Sequence, residues 1–270
     1  MKSLLLHAQN DSGFEARLQT ALDIARATTG HLTCLHVTPS SAYVATEPFG
    51  GMFIMQDLMK MLDEQEQEMR KLIESRLAKE DVSWEYEALT TDIHYGLVDR
   101  GSLSDLIIMS HPSHGKDASV VDGVIGDVIV DSRTPVLVVP EAAHTFKVGG
   151  SAVIAWNDSF ESANALRAAV PLLSLAEKVT ILTVEMAKQE QEPSLAPAEY
   201  LSRHGIHAEL HSQSVDGNSI EVALKLAVNA LNADYLVMGA YGHSRAREYW
   251  FGGVTRSMLQ ESPVPIFFGR

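Results

Sequence analysis

Four glycines and a threonine mark the stretch of this chain best suited to holding a phosphate. Gly239 and Gly242 follow the apolar run Tyr235-Leu236-Val237-Met238, and nine residues later Gly252-Gly253-Val254-Thr255 opens a segment of helical character. Glycine at these points removes the Cβ atoms that would keep a ribose or phosphate from backbone N–H groups. The Gly-Gly pair leads into a helix whose unpaired N–H groups and positive dipole end suit an anion, and Thr255 adds a hydroxyl. The spacing is neither a Walker loop, G-x-x-x-x-G-K-[ST], nor the dinucleotide fingerprint G-x-G-x-x-G. The same glycines also suit turns and close packing of helix on strand.

Such a loop works at the carboxyl end of a strand in an open α/β sheet, and the chain supplies that setting twice. Asn10-Asp11-Ser12 and Asn157-Asp158-Ser159 each follow an apolar strand, 147 residues apart. Ser104-Asp105-Leu106-Ile107-Ile108-Met109 matches Ala233-Asp234-Tyr235-Leu236-Val237-Met238 at an offset of 129, and Thr134-Pro135-Val136 matches Ser262-Pro263-Val264 at 128. Three matches in one order imply duplication, with the extra length of the first copy between Pro39 and Lys79. The polar stretch Glu141 to Gly150 reads as a linker, giving domains at 1–144 and 148–270. In the second copy, strands at 152–156, 179–184, 207–215, 235–238 and 264–268 alternate with helices at 159–175, 197–204, 219–231 and 253–260. This is the signature of a doubly wound parallel sheet with helices on both faces. The closing strands, Val136 to Val139 and Ile266 to Phe268, would be exposed apolar edges unless the copies pair through them as a pseudo-dimer.

Phe14, Leu18, Leu22 and Ala25 form one helical stripe, and Ala163, Leu166, Val170 and Leu173 another. Pro171 is expected to end or kink the second helix early. Asp11 or Ser12, and Asp158 or Ser159, stand where an N-cap belongs. The segment Gln56 to Lys79, without Gly or Pro, is expected to be one long helix, with Met52, Met55, Met59 and Leu62 as its packing stripe.

With these residues in view, the chain resembles the universal stress protein family in its tandem form. The family loop runs Gly, two residues, Gly, nine residues, Gly, then Ser or Thr; here Gly239, Gly242 and Gly252 match, and Gly253 replaces the hydroxyl residue. The resemblance implies a strand order of 3-2-1-4-5 in each copy and, for members keeping the loop, ATP binding. It places Gly239, Gly242, Gly252, Gly253, Val254 and Thr255 along ribose and phosphates, and Val184 and Met238 beside the base. His243 and Arg245 belong to the same loop. The family's Asp after the first strand is Asn157 here, with Asp158 one position on.

The first copy reads Ser110-His111-Pro112-Ser113-His114-Gly115-Lys116 at the aligned loop and lacks the first two glycines, while Gly123 stands opposite Gly252. Residues 239–256 carry three Arg and one Glu, whereas 110–127 carry one Lys and three Asp, so a polyphosphate favours the second copy. His111 and His114 lack the spacing and Cys neighbours of a metal site. A net charge of −14 argues against nucleic-acid and anionic-membrane partners, and no apolar stretch reaches membrane-spanning length. Cytoplasmic residence follows as the expectation, and the lone Cys34 reads as a buried small hydrophobe.

The expected function is that of an ATP-binding, stress-response module acting through the C-terminal domain, with ATP bound with or without Mg2+. It is regulatory and not an enzyme, since no nucleophile elbow, zinc motif or kinase signature is present. Besides the nucleotide, the expected partners are the two domains for each other and, optionally, a second chain. The alternative is a scaffold without nucleotide, acting through the paired domains and the long helix of the first copy. An adenylating enzyme of the nucleotide-α-hydrolase type would need a phosphate loop at the first strand, which Asn157-Asp158-Ser159 does not provide.

Overall fold

The computed structural model describes residues 1–39, 51–111, 118–185, 194–240 and 253–270. The first half contains β1 (Ser3–His7), α1 (Phe14–Thr28), β2 (His31–Pro39), α2 (Gly51–Leu77), β3 (Ser83–Thr91), α3 (Ile93–Gly101), β4 (Leu106–His111), α4 (Ala118–Asp131) and β5 (Val136–Pro140). The second half repeats the series with β6 (Ser151–Trp156), α5 (Phe160–Leu173), β7 (Lys178–Glu185), α6 (Ala196–Arg203), β8 (Ala208–Ser214), α7 (Ile220–Ala230), β9 (Tyr235–Gly239), α8 (Gly253–Glu261) and β10 (Ile266–Gly269).

The strands form one sheet ordered β3-β2-β1-β4-β5-β10-β9-β6-β7-β8, so each half has the order 3-2-1-4-5. Pairing is parallel within each half and antiparallel where β5 meets β10, with Leu137 opposite Phe267. The apolar closing strands therefore cover each other. Both residues are fully buried, each burial being worth about 1.5–3 kcal/mol. Apolar side chains alternate between two cores, one on each face, and both run through the two halves.

The repeat register differs from the sequence reading at the last strand. Ile107 pairs with Val136 and Leu236 with Ile266, so Pro135 corresponds to Pro265, not to Pro263. The preceding turns agree: Ser132 Oγ donates to the carbonyl of Thr134, and Ser262 Oγ to that of Val264. Counting back along the helices, Gly123 stands opposite Gly253 and not Gly252.

Helix α5 ends two residues after Pro171. Leu62, Met69, Ile73 and Leu77 seat the long α2, while Met59, expected in the packing stripe, is exposed. The side chains of Met52 and Met55 lie outside the described residues. Ser159 caps α5, accepting from the Ser162 N–H at 3.1 Å. In α1 the cap is Gly13 and not Asp11 or Ser12. The Asp11 carboxylate instead accepts from the Gly13 N–H at 3.0 Å and from Arg17.

The linker is packed down. The Phe146 N–H donates to Asp23 of α1 at 2.9 Å, and its buried ring lies 5.2 Å from that of Tyr235 in β9. Lys147 pairs with Asp234 at 2.8 Å.

Candidate functional site

In each half the strand order reverses between its first and fourth strands, and the crevice beyond their carboxyl ends is where such sheets bind ligands. In the second half this is the end of β6 and β9. Trp156 closes β6 and donates from Nε1 to Asp158 Oδ1 at 2.9 Å. Asp158 takes a left-handed backbone, φ 55°, which reverses the chain into α5. Asn157 Oδ1 accepts from the Ser159 hydroxyl at 2.7 Å, so the amide NH2 is the end of Asn157 suited to a ligand. Met238 lies beside Ala155 in register and shares the core face with Val184.

The described glycines divide into two kinds. A Cβ on Gly239 would lie 2.5 Å from the Glu161 carbonyl carbon and 2.6 Å from the Ser162 nitrogen. The start of α5 thus rests on the end of β9, and packing alone requires Gly239. A Cβ on Gly269 would likewise come within 2.4 Å of Ala165 Cα. Gly253, at the start of α8, has no described atom within 4 Å of such a Cβ. Val254 packs partly against the core, and Thr255 is buried on the inner side of the first turn. Gly242, His243, Arg245 and Gly252 lie outside the described residues, as does the first-copy loop from Pro112 to Lys116, with His114.

The first half fills its own crevice. Arg17 is 1% exposed; its guanidinium donates to Asp11 at 3.0 Å, to the Gln9 carbonyl at 2.7 Å, and to Ser110 Oγ. The burial pattern along the two helices puts Arg17 where α5 has Ala165. Gly13 faces the Ser110 side chain, so the contact between helix start and fourth strand carries its glycine on the helix side here and on the strand side, as Gly239, in the second half. Burial lowers the Arg17 pKa and Asp11 opposes the shift. Burial, with Arg17 and His36 nearby, presses His7 at the end of β1 down to about 3, so its imidazole is neutral. His7 Nε2 has no hydrogen-bond partner among the described residues.

Arg17, His7 and Trp156 did not enter the sequence reading of the site. Arg17 did leave a signal there, a charged residue on the apolar stripe between Phe14 and Ala21. Burial raises the Cys34 thiol to about 12, which keeps it protonated and inert. Among the described residues no three His, Cys, Asp or Glu side chains group as a metal site, and no helix is long and apolar enough to cross a membrane.

Residues 152–268 match the model of the Universal stress protein family. That match takes in nearly all of the second half. Over its whole length, the chain is similar in fold to a universal stress protein from Archaeoglobus fulgidus DSM 4304, at 17% identity and a TM-score of 0.77, covering 99% of this chain and 96% of that one. A functionally unknown protein from Pseudomonas aeruginosa PAO1 is similar at 17% identity and a TM-score of 0.55, covering 100% of this chain and 92% of that one. No curated protein matches the chain significantly.

Proposed function

We propose that this chain is a universal stress protein that binds one adenine nucleotide, in its second domain, and acts by regulation and not by turnover. The observation that carries the reading is the contrast between the two crevices. Arg17, Asp11 and Ser110 close the first, whereas at Gly253, which begins α8, an added Cβ would meet no described atom within 4 Å, and the first-turn N–H groups stand at the carboxyl end of the sheet. Asn157, Val184 and Met238 stand on the strands that border this second crevice, in keeping with contacts to ribose and base. ATP is the expected nucleotide, with Mg2+ as counter-ion for the phosphates, and residence in the cytoplasm fits this ligand.

Denaturing the purified protein and chromatographing the released nucleotides tests the reading. ATP or ADP near one mole per mole supports it. A blank, with no calorimetric signal on adding ATP and magnesium, would favour the scaffold acting through its paired domains and α2.

A further inference from the structure

Helix α8 has nine residues, too few to hold a helical shape in water without support from its neighbours. Thr255, Met258 and Leu259 seat its inner side in the core. A second support comes from α7. Lys225 Nζ donates to Ser257 Oγ at 3.0 Å and to Glu261 Oε2 at 2.6 Å, and the lysine side chain is 18% exposed. Ser257 and Glu261 lie one turn apart on the same face, so a single ammonium fastens two successive turns. Glu261 stands at the negative end of the helix dipole, where a carboxylate is unfavourable unless a cation meets it. The hydrogen bond from Lys225 holds its carboxyl below the usual carboxylate range.

The first half is built otherwise. Glu261 corresponds to Asp131, each directly before the serine that turns the chain into the last strand, and Asp131 meets His94 at 3.1 Å. Lys225 corresponds to Val98, each following a buried pair, Ala223-Leu224 or Gly96-Leu97. The lysine tie thus belongs to the half whose crevice is proposed to hold nucleotide.

We propose that Lys225 is a positioning residue for the phosphates of a nucleotide, an inference that rests on the reading above in which the start of α8 receives them. Ser257 lies about 6 Å along the helix axis from Gly253, so the tie fixes α8 one turn behind its unpaired N–H groups. Lys225 acts on the phosphates through the placing of α8, without touching them.

The experiment compares the unaltered full chain with Lys225→Met and Lys225→Arg, each verified as folded by thermal melting. In unliganded Lys225→Met, amide hydrogen exchange from Ser257 to Glu261 should quicken, while Lys225→Arg, which keeps a donor for both partners, should exchange near the original rate. In calorimetric titration with magnesium, Lys225→Met should bind ATP about two- to fivefold more weakly, the scale of an interaction at a helix end. Adenosine, which has no phosphate, should bind as before, and Lys225→Arg should restore ATP binding. Unchanged exchange or unchanged ATP affinity in Lys225→Met, no rescue by Lys225→Arg, or an equal loss for ATP and adenosine would overturn the positioning role while the nucleotide reading stands. No ATP binding by the unaltered chain would overturn both.

Discussion

At residue 239 a methyl group would press on the backbone of Glu161 and Ser162, whereas at residue 253 it would meet no described atom. Gly239→Ala should therefore cost about 1–3 kcal/mol as α5 is pushed from β9. Gly253→Ala should be neutral or stabilise by up to about 1 kcal/mol through the unfolded chain. Urea unfolding of the two variants checks this, and equal costs would contradict it. The spacing of the glycines was legible in the sequence. Which of them serves packing was not, because that depends on how closely α5 approaches. His7 gives a second test. Folded, its pKa is about 3; unfolded, it regains its ordinary value of 6.5. Between those limits the unfolded chain takes up a proton that the folded one refuses, so this contribution to stability is present above pH 6.5 and lost as pH falls. The loss approaches about 1.4 kcal/mol per pH unit. In His7→Leu the fall in stability between pH 6 and 4 should be shallower by that amount; an unchanged slope in urea titrations would contradict the assignment.

The order of strands and helices in the second half followed from hydrophobic periodicity, and the long α2 from an unbroken run of helix formers. The register of the last strand did not. Sliding Pro135 from Pro265 to Pro263 is a shift of two residues, which leaves every side chain on the same face, so patterning cannot choose between them. Hydrogen bonds made by Ser132 and Ser262 decide it. The polar linker concealed a different feature: Phe146 is 3% exposed and packs on Tyr235 while its N–H is held by Asp23. Phe146→Ala should cost about 3–5 kcal/mol in chemical denaturation, the usual range for a buried Phe. A cost below about 1 kcal/mol would show the linker to be only a tether.

Across the whole molecule, one sheet joins two copies that share a strand order but not a crevice. The duplication and the pairing of the closing strands could be read from sequence, because two apolar edge strands demand cover. Arg17 filling the first crevice could be seen only once the fold brought Ser110 beside it. A single nucleotide site per chain, in the second domain, is the central claim. Calorimetric titration with ATP and magnesium of the unaltered chain and of Gly253→Asp tests it most directly. The aspartate suits a helix start and should leave the thermal melt intact, while its charge repels phosphate. The account predicts one ATP per chain and at least about tenfold weaker binding in Gly253→Asp. Two ATP per chain, no binding at all, or equal affinity in the folded variant would contradict it.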